Sequence, residues 1–208
     1  MRTKLKICGV TTIKDALDLV ELGVDAIGIN FYPKSKRYIT PQDAKPFLEQ
    51  INGKIERIGV FVDADITLVK QLITDDLIDV AQLHGNEDDD YCQELADSGM
   101  EFISVIRIEA NDTQINIPSI IGKSVLLDTH VAGYGGAGQS FDWNLANDFI
   151  KQHPEYKVII AGGITVENVT EAISINPHMI DVASGAETSP GIKNLTKVRT
   201  MLNFQKIT

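Results

Sequence analysis

Cysteine is scarce in this chain, and its placement excludes two kinds of site. The 208 residues include two cysteines, Cys8 and Cys92, which lie far apart and form no CxxC pair. Neither a disulfide framework nor a cysteine zinc motif is therefore expected. The four histidines do not cluster with carboxylates at metal-ligand spacing, so we expect no metal.

Long apolar runs and an excess of basic charge are also missing. No stretch approaches the roughly 18 apolar residues of a membrane span, and the N-terminus enters a strand without the apolar core of a signal peptide. Acidic residues outnumber basic ones by 29 to 19, for a formal net charge of −10. Such a charge repels nucleic acid and anionic membranes. We therefore expect a soluble, cytoplasmic protein with neither as a partner, in a reducing compartment where a lone thiol survives.

What the chain does contain is a regular alternation of short β-rich runs and longer amphipathic runs. Strands are predicted at residues 5–10, 25–31, 55–62, 79–83, 101–106, 124–128, 157–161 and 179–183. Helices are predicted at residues 13–22, from 41 onward, and at 65–73, 87–98, 142–151, 165–174 and 194–204. Residues 109–122 predict only a short or irregular helix, because they are polar and contain Pro118.

Repeated strand–helix units imply parallel strands joined by right-handed crossovers. Several of the strands are apolar throughout, which suits a sheet that is buried on both faces. We therefore predict an α/β fold, a (β/α)8 barrel with eight parallel strands, as a single domain over residues 1–208. An open doubly wound sheet is the alternative, although it usually has fewer strands and often a GxGxxG motif after the first.

The reactive groups of such a barrel lie where its strands end. Cys8 lies toward the end of the first predicted strand, immediately before Gly9, and Asp128 ends the sixth. Both are candidates for proton transfer. A small buried side chain is the alternative for Cys8. For Asp128 the alternatives are a cap of the following loop or an acid with a raised pKa.

Two glycine-containing turns follow the seventh and eighth strands, where barrels of this kind often bind phosphate. Gly162 and Gly163 follow the seventh strand and Ser184 and Gly185 the eighth. Glycines allow close backbone approach, and N–H groups at a helix start supply positive potential. Such a site would bind an anion without many basic side chains. The alternative is that these glycines merely turn the chain.

Three further features are candidates for ligand binding. Residues 133–138, which include Gly136 and Gly138, predict a loop that closes over a ligand, with a plain flexible loop as the alternative. Arg37 lies in a basic loop and could bind a carboxylate with its planar guanidinium, or be a solvated surface charge. His84 lies at the end of the fourth strand, directly after residue 83, and is either a ligand contact or a structural histidine.

Motifs in a fixed order resemble those of the phosphoribosylanthranilate isomerases and cover nearly the whole chain. They are KICGVT at 6–11, SKR at 35–37, GVFV at 59–62, QLHG at 82–85, GGAG at 135–138, FDW at 141–143, AGGI at 161–164, DVASGAE at 181–187 and PGIK at 190–193. The departures from the family pattern are small, and they concern Ala137, Ala183, Ala186 and Asn194.

The resemblance implies an Amadori rearrangement of N-(5-phosphoribosyl)anthranilate in tryptophan biosynthesis. It implies Cys8 as general base and Asp128 as general acid, with no cofactor. Arg37 is then expected to bind the anthranilate carboxylate from the side opposite the phosphate. The other expected substrate contacts are His84, Gly136, Gly138, Gly162, Gly163, Ser184 and Gly185.

Two other functions stay open at this point. One is another sugar-phosphate isomerase or epimerase of the phosphate-binding barrels. The other is a non-catalytic protein that binds a phosphorylated ligand, which would need the glycine turns but not Cys8 and Asp128 together. The partner expected in each case is a small phosphorylated molecule, and the chain is expected to be a monomer or a homodimer.

Overall fold

The predicted barrel is present. The computed structural model describes residues 2–109, 112–119, 122–129 and 143–205. Eight parallel strands pair in chain order, and the eighth pairs with the first to close the barrel. The strands are β1 Lys4–Cys8, β2 Ala26–Asn30, β3 Glu56–Phe61, β4 Val80–Leu83, β5 Phe102–Ile108, β6 Ser124–Thr129, β7 Lys157–Ala161 and β8 Met179–Val182.

Helices cover the outside of this sheet, and their capping residues explain where several of them begin. Those that the structure describes are α1 Ile13–Leu22, α2 Pro41–Ile51, α3 Ile66–Thr74, α4 Asp89–Asp97, α5 Trp143–Gln152, α6 Val169–Ser174 and α7 Leu195–Gln205. Thr12 and Thr40 cap α1 and α2 by accepting backbone N–H bonds, as N-cap side chains do. Across these described segments, no helix has the length and apolar composition needed to cross a bilayer.

Most predicted boundaries differ from the observed ones by one or two residues, as in β1, which ends at Cys8 rather than at residue 10. Larger departures occur in three places. The described part of the fifth connection, residues 112–119, contains no helix. Helix α6 begins at Val169 rather than at Thr165, because the Asn168 side chain accepts the Thr165 N–H at 2.8 Å and holds the preceding residues in a turn. After β8 the chain forms a 3₁₀ turn at Ser184–Ala186 and a small hairpin that was not predicted, β9 Glu187–Ser189 with β10 Ile192–Lys193.

The side chains of each strand alternate between two cores. Those that point outward pack under the helices, as Leu5 and Ile7 of β1 do. The inward set fills the barrel with a separate apolar layer formed by Ala26, Ile58, Val80, Ile103, Leu126, Ile159, Ala161 and Met179. Because strand side chains alternate with a period of two, Lys6 and Cys8 lie on the inward side of β1.

Candidate active site

The two predicted proton-transfer residues lie at the same opening of the barrel. Cys8 is the last residue of β1, and Asp128 precedes the last residue of β6. Both side chains are half-buried. All eight strands run in one direction, so their carboxyl ends form one rim. The barrel thus brings Cys8 and Asp128, 120 residues apart in sequence, to a common mouth.

Cys8 is packed tightly against its neighbours. A Cβ atom added to Gly28 of β2 would lie 2.6 Å from Cys8 Sγ and 3.1 Å from Lys6 Cε, so a side chain at position 28 would displace both groups. Burial raises the pKa of the Cys8 thiol, and the Lys6 and Lys193 ammonium groups oppose that effect without cancelling it. The thiol of this structure is therefore mostly protonated at neutral pH, and its neighbours do not favour the thiolate overall.

Lys6 is a fully buried charge inside the barrel. Its Nζ forms an ion pair with Asp181 Oδ2 of β8 at 2.7 Å and donates a hydrogen bond to Gln82 Oε1 at 2.7 Å. Its side chain lies beside Cys8, because Lys6 Cε and Cys8 Sγ both lie within 3.1 Å of the position that a Cβ atom on Gly28 would occupy. Burial would lower the pKa of Lys6, but interactions with the Asp181 carboxylate and with Cys8 outweigh burial and hold that pKa above its usual value. A charged ammonium therefore lies against the thiol of Cys8.

His84 connects this group to Asp128. Its Nδ1 lies 3.0 Å from Gln82 Nε2, and its Nε2 lies 3.1 Å from Asp128 Oδ2. Arg107 of β5 donates to the backbone carbonyl of His84 at 2.5 Å, which holds the residue at the rim. A continuous chain of polar contacts therefore runs across the barrel from Asp181 to Asp128.

Arg37 lies beside Cys8, and its guanidinium is paired within the chain. A Cβ atom at Gly9 would collide with the Arg37 side chain, so Arg37 crosses directly over the residue that follows Cys8. Its Nε donates to Glu187 Oε1 at 2.9 Å, and the same guanidinium donates to Glu187 Oε2 at 2.7 Å. Glu187 follows the turn after β8. Arg37 therefore lies on the side of that turn and not opposite it.

Lys193 and Glu187 form a second buried charge cluster, next to the backbone carbonyl of Cys8. Lys193 Nζ donates to Glu187 Oε1 at 2.6 Å and to the Cys8 carbonyl at 2.5 Å. Burial would raise the pKa of Glu187, but hydrogen bonds from Arg37 and Lys193 outweigh it and hold that pKa below its usual value. With two cations around one carboxylate, the cluster is a source of positive potential in an acidic protein.

The two glycine turns meet at this rim. Gly162 and Gly163 have φ values of +93° and +62°, a region that glycine adopts readily and other residues rarely. Asn168 Nδ2 donates to the Gly163 carbonyl at 3.0 Å and holds the first turn in place. A Cβ atom at Gly185 would collide with the backbone of Ile164, so the missing side chain lets the two turns touch. Gly163 and Ser184 are exposed.

Neither turn opens directly into a long helix. Helix α6 starts at Val169, well after Gly163, and the 3₁₀ turn at Ser184–Ala186 is a single short turn. Gly136 and Gly138, and with them the predicted closing loop, lie outside the described residues.

Sequence reasoning missed five residues that organise the site: Lys6, Gln82, Asp181, Glu187 and Lys193. The sequence does carry a signal for the first of them, because Lys6 shares the inward face of β1 with Cys8. A lysine on the inward face of a barrel strand needs an acceptor inside the barrel. Within the ranges that the structure describes, no group of three or more His, Cys, Asp or Glu side chains is arranged to hold a metal ion.

Comparison with known proteins agrees with this geometry. Residues 5–204 match the family model described as N-(5'-phosphoribosyl)anthranilate (PRA) isomerase. The N-(5'-phosphoribosyl)anthranilate isomerase of Pseudomonas fluorescens (strain Pf0-1) is 39% identical over 204 residues, which are 95% of this chain and 96% of the relative. That of Geobacter sp. (strain M21) is 37% identical over 199 residues and 95% of each chain.

Solved structures give the same result. Monomers generated from the dimeric phosphoribosylanthranilate isomerase of Thermotoga maritima superpose with a TM-score of 0.79 at 29% identity, over 99% of this chain and 100% of that one. A phosphoribosylanthranilate isomerase in complex with reduced 1-(o-carboxyphenylamino)-1-deoxyribulose 5-phosphate superposes equally well, with a TM-score of 0.79 at 30% identity and the same coverage. The chain belongs to the N-(5'-phosphoribosyl)anthranilate isomerase family.

Proposed function

We propose that Cys8 and Asp128 carry out the family's reaction in this chain, with Cys8 as general base and Asp128 as general acid. The reaction is the isomerisation of N-(5'-phosphoribosyl)anthranilate in tryptophan biosynthesis. The observation that carries the assignment is that both side chains face one mouth, with Cys8 beside Lys6 and Asp128 joined to Lys6 through His84 and Gln82. One acid and one base on different strands are what the rearrangement needs.

The steps follow from that placement. The Asp128 carboxyl delivers a proton to the ribose ring oxygen, the C1–O bond breaks, and the nitrogen lone pair forms an iminium with C1. Cys8 then removes the proton from ribose C2, and the electron pair of that C–H bond neutralises the iminium to give an enolamine. Tautomerisation yields the ketone, 1-(2-carboxyphenylamino)-1-deoxyribulose 5-phosphate. Cys8 acts in this step as the thiolate, which is the minor form before ring opening because burial raises the pKa of the thiol. The iminium cation favours that anion electrostatically and makes the C2 proton more acidic.

Complementation tests the whole assignment. The full chain, expressed in a tryptophan auxotroph that lacks this isomerase, is expected to restore growth without tryptophan. A Cys8→Ser/Asp128→Asn double variant, expressed to the same level, is expected not to restore it. Growth with the double variant would reject the roles assigned to both residues, and no growth with the native chain would reject the activity.

Arg37 is proposed to bind the anthranilate carboxylate. The support is its position over Gly9, beside Cys8, with Glu187 holding the guanidinium in a fixed orientation. We expect Arg37→Ala to raise KM by about tenfold or more, because a hydrogen bond to a charged group contributes about 1.5–3 kcal/mol. Lys34→Ala, an exposed position in the same basic loop, is the matched control and should leave KM unchanged. Steady-state kinetics with both variants decide the point, and an unchanged KM for Arg37→Ala would contradict the assignment.

The glycine turns after β7 and β8 are proposed to bind the substrate phosphate through backbone N–H groups. The left-handed backbone at Gly162 and Gly163 and the contact between the two turns support this proposal. Asn168→Ala removes the side chain that holds the first turn, so we expect KM and the inhibition constant of inorganic phosphate to rise together by several-fold. Glu171→Ala, exposed on α6, is the control. A rise in KM without weaker phosphate inhibition would place the phosphate elsewhere.

The partner of this site is proposed to be a small phosphorylated molecule in the cytoplasm, with no role for nucleic acid. The formal charge of −10 disfavours a polyanion, whereas the Arg37–Glu187–Lys193 cluster and the glycine turns suit one small anion. The chain is proposed to be a monomer or a homodimer. Light scattering coupled to gel filtration distinguishes these two states from larger assemblies.

A further inference from the structure

The donor and the acceptor of each hydrogen bond inside the barrel can be assigned one after the other, starting from Lys6. A lysine ammonium has three N–H donors and no acceptor. The Gln82 atom that faces Lys6 at 2.7 Å must therefore be the carbonyl oxygen Oε1. Because an amide carries its oxygen and nitrogen on opposite sides, Gln82 Nε2 is turned toward His84. Asp181 holds Lys6 in this position through its 2.7 Å ion pair.

The amide in turn selects one tautomer of His84. Gln82 Nε2 can only donate, and it lies 3.0 Å from His84 Nδ1. A proton on Nδ1 would place two donors face to face, so Nδ1 must be the acceptor. The neutral ring then carries its proton on Nε2, which lies 3.1 Å from Asp128 Oδ2. The tautomer of a histidine is set by the partner of its other nitrogen.

This direction decides which oxygen of Asp128 is available for chemistry. Oδ2 accepts the His84 Nε2–H, and the carbonyl oxygen of a carboxyl is a better acceptor than its hydroxyl oxygen, so this contact favours a carboxyl proton on Oδ1. The proposed general acid thus has a single donor oxygen with a fixed orientation. The Lys6 side chain that starts the chain also lies beside Cys8, so one buried charge lies next to the proposed base and orients the proposed acid.

We propose that Lys6 and Gln82 are positioning residues that fix the tautomer of His84 and, through it, the oxygen of Asp128 that carries the proton. This inference rests on the proposed roles of Cys8 and Asp128 and deepens them. Neither Lys6 nor Gln82 exchanges a proton with the substrate. Both act through His84, which spans the distance between β4 and β6.

Gln82→Glu is the sharpest test, because it reverses the direction of the chain. A carboxylate can only accept, so it keeps the contact with Lys6 but requires a proton on His84 Nδ1. The neutral ring then presents a bare Nε2 to Asp128, and the carboxyl proton moves to Oδ2. We expect kcat to fall by at least about tenfold with KM little changed, which is less than the roughly 10⁴-fold cost of a wrong tautomer where the histidine itself moves the proton.

Gln82→Met covers the case in which the extra buried charge prevents folding. It has a similar length, no charge and no hydrogen-bonding amide, so His84 is left without a partner at Nδ1 and both tautomers become populated. We expect a fall in kcat smaller than that of Gln82→Glu. Thr3→Val is the control, since Thr3 donates to the Pro177 carbonyl at 3.0 Å near the amino ends of the strands, and its kcat should not change.

The readout that separates positioning from a general structural effect is the protonation of the two ring nitrogens. In ¹⁵N-labelled full-length protein, the His84 ring signals are assigned by their loss in His84→Asn. The native chain should show Nδ1 unprotonated and Nε2 protonated, and Gln82→Glu should show Nδ1 protonated. A native Nδ1 that carries the proton, or a Gln82→Glu variant with native tautomer or native kcat, would overturn the proposal.

The proposed function has a separate test in Cys8→Ser and Asp128→Asn. Native turnover in either of those variants rejects the assigned proton transfers, whatever the His84 signals show. If both variants are inactive while Gln82→Glu behaves as the native chain, the proposed function stands and the positioning role is wrong.

Discussion

Replacement of Cys8 by serine is expected to lower kcat by about 10²- to 10⁴-fold, the range that a well-placed general base contributes. A serine hydroxyl keeps the shape of the thiol but is a far weaker acid, so it cannot supply an anionic base at neutral pH. KM should change little, because Arg37 and the glycine turns are untouched. The measurement is the decay of substrate fluorescence under saturating and subsaturating conditions. Native turnover in Cys8→Ser would reject the assignment of Cys8 as the general base.

The chain offers a matched control for this variant in its second cysteine. Cys92 lies in α4, in the buried layer between the helices and the sheet. Cys92→Ala is therefore expected to retain native kcat and KM while losing some stability. A large loss of turnover in Cys92→Ala would show that the assay responds to general damage rather than to loss of the base.

The thiol itself can be followed without turnover. Because burial raises the pKa of Cys8, the thiolate fraction should be small at neutral pH and should grow by about tenfold per pH unit up to a pKa above the ordinary value of about 8.5. The rate of iodoacetamide alkylation at Cys8, read by peptide mass spectrometry, should follow that curve. A rate that is already maximal at neutral pH would show that Lys6 and Lys193 outweigh burial.

Asp128→Asn is the second variant with a very large expected loss, again about 10²- to 10⁴-fold in kcat with KM nearly unchanged. The amide keeps the size of the carboxyl and can still accept from His84 Nε2, but it cannot deliver a proton to the ring oxygen. Asp76→Asn is the control, because Asp76 pairs with Arg57 after α3, near the amino ends of the strands, and should keep native kcat.

The direction in which the residual activity of Asp128→Asn changes with pH distinguishes loss of the general acid from a structural defect. In the native chain the acid must keep its proton while the base must lose one, so the two requirements oppose each other as pH rises. In the variant only the requirement for a deprotonated Cys8 remains. The residual kcat/KM of Asp128→Asn is therefore expected to rise with pH toward the raised pKa of Cys8. A residual rate that falls with pH would contradict the role of Cys8 as base.

The fold was accessible from sequence because its signals are local. Each strand or helix is predicted from a short stretch of neighbouring residues. The start of a helix is predicted in the same way, as by the N-cap Thr12 of α1 and by Pro41 in the first turn of α2. The predicted elements were wrong where the cause lies outside the hydrophobic pattern of the sequence. Asn168 delays the start of α6, and the Glu187–Ser189 hairpin strand is too short to show a period.

Only part of the candidate site could be predicted from the sequence, for a physical reason. The strand-end rule located Cys8 and Asp128, because position in a repeating unit determines which end of the barrel a residue occupies. That rule gives no partner for either residue. The interpretation of Arg37 depended on which carboxylate it meets, and that partner, Glu187, lies 150 residues away.

The order of the amino acids alone therefore determined the eight strands, their common direction and the rim on which the reactive side chains lie. Closure of the barrel decided the rest, because it sets which inward side chains meet across the interior. Lys6 reaches Gln82 over a sequence separation of 76 residues and Asp181 over 175. Contacts of that kind depend on the relative stagger of strands, which no local pattern encodes.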